Sequence, residues 1–158
     1  MIKKGGEQMT ESHLVTLSAK GQLISGKTNQ VQIRDFEPFF IDEQERIGGA
    51  NAGPNPLEYL LGALSACTSI MTSYVAKDMN FSYQGIEYAT DGKLDPRGYQ
   101  GVDGVLTYFQ TVEVNIFVET EESDEALQLL RESVEKRCPI YNLLKDAGVK
   151  VITNWKRN

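Results

Sequence analysis

Histidine occurs once in the 158-residue chain, at His13, and cysteine twice, at Cys67 and Cys138. One histidine is too few for most metal or catalytic-triad sites, and two cysteines do not make the disulfide framework of a small secreted domain. Basic charge is not in excess, since 16 Lys and Arg stand against 22 Asp and Glu for a net charge of -6. With a sequence pI near 4.9, neither a general nucleic-acid binder nor an anionic-membrane binder is expected. Gly-x-Gly-x-x-Gly, phosphate-loop and Gly-x-Ser-x-Gly motifs are absent, which leaves nucleotide binding and serine hydrolysis without support. No apolar run follows Lys3 and Lys4, so no signal peptide is expected, and the reading is a cytoplasmic protein with reduced thiols. No cofactor is called for.

What is present is ordinary globular material: 41% hydrophobic and 24% charged residues. The length suits one domain with a proper core. Residues 1–12 read as a flexible leader and 13–158 as a single domain. From His13 the pattern alternates, and a second extended stretch runs from Gln30 to Phe36 before Pro38. Three glycines and two prolines between Gly48 and Pro56 forbid regular structure there. Asn55 then supplies an N-cap, Pro56 a first helical residue and Glu58 the acid of a capping box.

From Tyr59 to Ala76 no residue is charged. Gly62, Ser65, Thr68, Ser69, Thr72 and Ser73 make this run too polar for a comfortable membrane span, and basic anchors are missing from its flanks. A buried central helix from Pro56 to Met79, roughly 36 Å long, fits better. Gly62, Ala66, Ser69 and Ser73 form a stripe of small residues that permits close approach of another backbone. One small domain struggles to cover such a helix on all sides, so a homodimer is expected. Further strands are read at Phe81–Thr90, Val105–Val118 and Val149–Trp155. An amphipathic helix opens at Ser123-Asp124-Glu125, and a short one runs from Pro139 to Gly148. The order is β-β-α-β-β-α-α-β, an α+β class with antiparallel sheets around a long central helix.

The chemistry must rest mainly on sulfur. Cys138 precedes Pro139, where the free N–H groups of the short helix are expected to point, and Lys136 and Arg137 add positive charge beside it. Such surroundings favour a thiolate. Cys67 shares its helix face with Leu60, Leu64 and Met71. Both cysteines also suit the role of small buried hydrophobes, and a zinc site would need four cysteines gathered across a dimer. Arg46, after the acidic run Asp42-Glu43-Gln44-Glu45, reads as a solvated charge or as a cap of that run, and Glu58 as a capping acid.

The run Gly53-Pro54-Asn55-Pro56-Leu57-Glu58-Tyr59-Leu60-Leu61-Gly62-Ala63-Leu64-Ser65-Ala66-Cys67-Thr68 resembles the first cysteine motif of the OsmC/Ohr family. These are the osmotically inducible protein C and organic hydroperoxide resistance proteins. Glu135-Lys136-Arg137-Cys138-Pro139-Ile140 resembles its second motif, and the 71-residue separation of the cysteines is similar too. Gly92-Lys93-Leu94-Asp95-Pro96-Arg97-Gly98 resembles a turn of one OsmC-like branch.

The resemblance implies an intertwined homodimer with sites at the subunit interface, and a thiol-dependent peroxidase acting on organic hydroperoxides. Cys67 would attack, Cys138 would resolve the sulfenic acid as a disulfide, and an external dithiol would reduce it. This order reverses the local ranking of the two cysteines. Arg46 would stand at the family's arginine, with Glu58 as the candidate acid. In the peroxidase subgroups, however, that acid falls ten residues before the first cysteine, where this chain has Leu57. Glu58 stands nine before it, on the opposite face of a straight helix. Other readings of the same frame are a binding module for an apolar or oxidised small molecule, and a redox sensor.

Overall fold

In the computed structural model, which describes residues 13–158, the chain forms three α-helices, one short 3-10 turn and two three-stranded sheets. It is an α+β protein. The leader expected at residues 1–12 lies outside the described residues. By contacts the chain divides into two units, Met1–Pro56 and Leu57–Asn158.

In the first unit, β1 (Lys20–Ser25), β2 (Thr28–Gln32) and β3 (Phe39–Ile41) pair antiparallel in that order. The alternation beginning at His13 becomes a strand only at Lys20, and Leu14, Val15 and Leu17 are exposed. β3 is an addition to the expected order. It has three residues, too few for a period to show, and it begins directly after Pro38. The loop after it is organised by Asp42, which is 1% exposed. The Asp42 carboxylate accepts the Thr28 hydroxyl at 2.9 Å and the amides of Glu43 at 2.7 Å, Ala50 at 3.1 Å and Ala52 at 3.1 Å. Two glycines make this packing possible. A Cβ on Gly49 would lie 1.8 Å from the Glu43 carbonyl oxygen, and one on Gly53 2.2 Å from that of Phe40.

α1 (Pro56–Met79) opens the second unit as an unbroken helix with the expected bounds. Its end is a Schellman motif: Asn80 takes a positive φ, Phe81 N–H returns to Ala76 C=O at 2.8 Å, and Asn80 N–H to Lys77 C=O at 3.4 Å. Phe81, read as the start of a strand, is thus the apolar residue that seals the helix end, and β4 begins at Gly85. β4 (Gly85–Lys93), β5 (Thr111–Glu119) and β6 (Lys150–Arg157) form the second sheet.

β4 and β5 pair antiparallel, whereas β6 lies parallel to β5. A parallel neighbour needs a long crossover, and α2 (Asp124–Arg137) and α3 (Pro139–Asp146) supply it. Ser123 caps α2 as expected, its hydroxyl accepting from Ala126 N–H at 3.2 Å. Gly148, at φ +84°, turns the chain out of α3. Val112, Val114, Ile116 and Val118 alternate into a core shared with Leu64 and Val75 of α1 and with Leu127, Leu130 and Val134 of α2. Each fully buried aliphatic side chain contributes about 1.5–3 kcal/mol.

α1 is long and apolar enough to cross a membrane by length and composition. Its buried stripe, however, contains Ser65, Thr68 and Thr72 beside Leu64, Val75 and Ala76. Each of these three hydroxyls donates to the carbonyl four residues back, at 2.9 Å, as polar groups on a core face must. The stripe of small residues lies on another face of the helix: within the single chain Gly62 and Ser73 are exposed, and Ala66 and Ser69 half-buried.

Candidate active site

The second unit brings its two cysteines together. Cys67 sits at the edge of the buried stripe of α1 and is half-buried, while Cys138, 1% exposed, occupies the corner between α2 and α3. Both thiols are free. The Cys138 thiol donates toward the Cys67 sulfur, with the two Sγ atoms 3.3 Å apart. A disulfide is about 2.05 Å long, so bonding needs a sulfur displacement of only about 1.3 Å.

The corner exists because Pro139 has no amide hydrogen and holds Cys138 extended, at φ -74° and ψ 113°. α2 therefore ends at Arg137, and α3 starts afresh from Pro139 in a new direction. The opening turn of α3 presents the Ile140 N–H to the Cys67 sulfur. Here the structure corrects the local reading, which aimed the helix end at Cys138. As the N-cap residue, Cys138 makes no side-chain cap bond, and the amide two residues on, that of Ile140, reaches across to α1. Of the two cations placed beside Cys138, Arg137 is engaged elsewhere, its Nη1 bonding Asp78 Oδ2 at 2.6 Å.

Burial pushes the Cys67 thiol above its ordinary range, and the neighbouring Cys138 sulfur pushes the same way; the Ile140 N–H opposes both, and the balance is upward. Behind the corner, Glu135 of α2 ties three elements together. It accepts from Arg131 Nε at 2.7 Å and from the Thr153 hydroxyl of β6. Tyr141 of α3 is raised above the usual phenol range, first by burial and then by the Glu135 charge and hydrogen bond, with Arg131 opposing.

Glu58 and Arg46 make no hydrogen bond to this pair among those that the structure gives for the described residues. Glu58 lies in the first turn of α1, nine residues before Cys67. Along an unbroken helix that is about 13 Å and two and a half turns, so the two side chains leave opposite faces. Arg46 belongs to the first unit, in the 3-10 turn Glu45–Ile47, where its Nε donates to Gln44 Oε1 at 2.7 Å. Two groups at the site went unread in the sequence, Ile140 and Asn142. Ile140 acts through its backbone, which residue type does not reveal. The Asn142 amide donates to the carbonyls of Glu135 at 3.0 Å, Lys136 at 3.2 Å and Cys138 at 2.8 Å. Its signal was the proline three residues earlier, which leaves helix-end carbonyls in need of donors.

The fold has counterparts among solved structures. An OsmC-like protein from Mycoplasma pneumoniae superposes with a TM-score of 0.77 at 17% identity, over 90% of this chain and 97% of that one. An organic hydroperoxide resistance protein from Elizabethkingia anophelis gives 0.71 at 20% identity, over 92% and 98%. An organic hydroperoxide resistance protein OsmC from Legionella pneumophila gives 0.68 at 17%, over 92% and 98%. At these identities the likeness is one of fold. No curated protein matches the chain. The family described as OsmC-like protein matches residues 48–154, a stretch that holds both cysteines, all of α1 and most of β6. With more than half of its length matched in sequence and its fold shared with these structures, the chain belongs to the OsmC-like family.

Proposed function

We propose that the protein is a thiol-dependent peroxidase that reduces organic hydroperoxides to alcohols, acting as a homodimer in the reducing cytoplasm. The observation that carries this reading is the sulfur pair at 3.3 Å, with the Ile140 N–H acting on Cys67. That amide stabilises negative charge on one sulfur of the two. The half-buried Cys67 is accessible to a peroxide, whereas Cys138 is enclosed.

In the first step the Cys67 thiolate attacks the terminal oxygen of ROOH. The O–O bond breaks, the alkoxide leaves and takes up a proton as ROH, and the sulfur becomes a sulfenic acid. In the second step the Cys138 thiolate attacks that sulfur, the S–O bond breaks, and the hydroxide leaves and takes up a proton as water. A dithiol then reduces the Cys67–Cys138 disulfide by exchange. The uncharged α1 and its apolar neighbours suit an apolar R group better than hydrogen peroxide.

Stopped-flow oxidation of the reduced protein tests the reading, with cumene hydroperoxide and hydrogen peroxide as substrates. The organic peroxide should react faster than with a free thiol, Cys67→Ser should abolish the reaction, and Cys138→Ser should halt it at sulfenic acid. Reaction no faster than a free thiol in the wild type would sink the enzyme and leave a family fold without the chemistry.

A further inference from the structure

The carbonyls at the end of α2 pose a hydrogen-bonding problem. Were the helix to continue, the Glu135 C=O would accept from the amide of residue 139 and the Lys136 C=O from that of residue 140. Residue 139 is proline and has no amide hydrogen. The amide of Ile140 is directed at the Cys67 sulfur. Both carbonyls therefore need another donor, and the Asn142 side chain provides it, at 3.0 Å to Glu135 O and 3.2 Å to Lys136 O. The same NH2 group reaches Cys138 O at 2.8 Å, and the Asn142 backbone amide bonds that carbonyl as well, at 3.1 Å. One residue thus closes the end of α2 and the start of α3 across the Cys138-Pro139 corner.

We propose that Asn142 is a positioning residue, which by tying the Glu135, Lys136 and Cys138 carbonyls to α3 holds the opening turn that presents the Ile140 N–H to the Cys67 sulfur. Without it, the end of α2 and the start of α3 lose their side-chain tie across the Cys138-Pro139 corner, and the opening turn of α3 is free to carry the Ile140 amide away from the thiolate. Asn142 touches neither sulfur; it acts through Ile140. Glu135 fixes the frame in which this happens, because its carboxylate joins α2 to β6 while its carbonyl takes the Asn142 amide. The proposal rests on the reading of Cys67 as the reactive thiol, but its test needs no peroxidase turnover. The titratable group acting on Cys67 is Cys138, so the test is made in a Cys138→Ser background, where that influence is constant.

The pH dependence of Cys67 alkylation by iodoacetamide gives the thiolate titration directly. Asn142→Leu, which keeps the volume and removes the donors, should move the midpoint up by about one pH unit, a tenfold loss of thiolate below the midpoint. This is the low end of what a hydrogen bond to a charged group is worth. Asn142→Ser, with one donor on a shorter side chain, should move it less. In 15N-labelled protein the Ile140 amide proton should shift downfield as Cys67 ionises, and should lose that response in Asn142→Leu.

A lowered melting temperature with an unmoved midpoint and an intact Ile140 response would give Asn142 a scaffold role alone and overturn the proposal. Loss of fold in both variants would do the same. If the peroxidase reading fails while the midpoint moves as stated, the positioning role stands by itself.

Discussion

Two sulfurs and one amide decide how Cys67 titrates. Burial and the Cys138 sulfur favour the neutral thiol, the Ile140 N–H favours the thiolate, and the first pair prevails. Resting Cys67 therefore holds its proton more firmly than a free cysteine, so at neutral pH the thiolate is a minor species whose amount grows tenfold per pH unit. Alkylation of wild-type Cys67 should keep rising past pH 8.5, where an ordinary thiol is already half ionised. A plateau below about pH 8 would contradict the balance. The same shift has a stability consequence. Because the folded midpoint lies above the unfolded one, the unfolded chain releases this proton first. The contribution to stability is complete below the unfolded midpoint of about 8.5 and declines as pH rises through the folded one. Urea denaturation at pH 7.5 and 9.5 should therefore show a smaller alkaline loss in Cys67→Ala than in wild type. Equal losses in the two proteins would remove Cys67 as a source of it.

At the scale of elements the loop between β3 and α1 depends on one carboxylate. Burial opposes the charge of Asp42, but the bonds from Glu43 N–H, Ala52 N–H, Thr28 O–H and Ala50 N–H outweigh it and hold the carboxyl below its ordinary range. A depressed midpoint means that the stabilising effect is present above the unfolded value near 4 and is lost as pH falls below it. In hydrogen exchange, Ala50 and Ala52 should be protected at pH 7, and Asp42→Asn should expose both; unchanged protection there would refute the role of the carboxylate.

None of this loop architecture was legible beforehand, since Asp42 looked like one member of an acidic run and only the folded loop brings residues 50 and 52 back to it. Helix ends were legible, because Pro56, Ser123 and Pro139 act on their immediate neighbours. The parallel pairing of β6 was not, as strand direction follows from the path of the α2–α3 crossover and not from local alternation. The cysteine pair was legible through its two motifs. Which thiol meets the helix end was hidden, because that depends on an amide crossing from α3 to α1.

At the scale of the whole molecule, the unsettled surface is the remainder of α1. No charge occurs from Tyr59 to Ala76, yet in the single chain Ile70 and Tyr74 are each 56% exposed, and a Cβ added at Gly62 would meet nothing within 4 Å. An uncharged helical face open to water is costly, since contiguous exposed apolar surface is uncommon on proteins that remain monomeric. Gly62 makes the question sharper. An unpartnered glycine in a helix interior costs up to about 1 kcal/mol relative to alanine; closely packed against a second helix, it offsets that cost by allowing the backbones to approach. A second copy of this chain, bringing the same stripe, is the occupant that the proposed homodimer places there. Gly62→Leu puts four carbon atoms into the seam and should convert the dimer to a monomer by light scattering, while circular dichroism stays folded because nothing in the single chain obstructs the new side chain. Persistence of the dimer in Gly62→Leu, with a melting temperature raised as expected for a free helical surface, would move the subunit contact off this stripe.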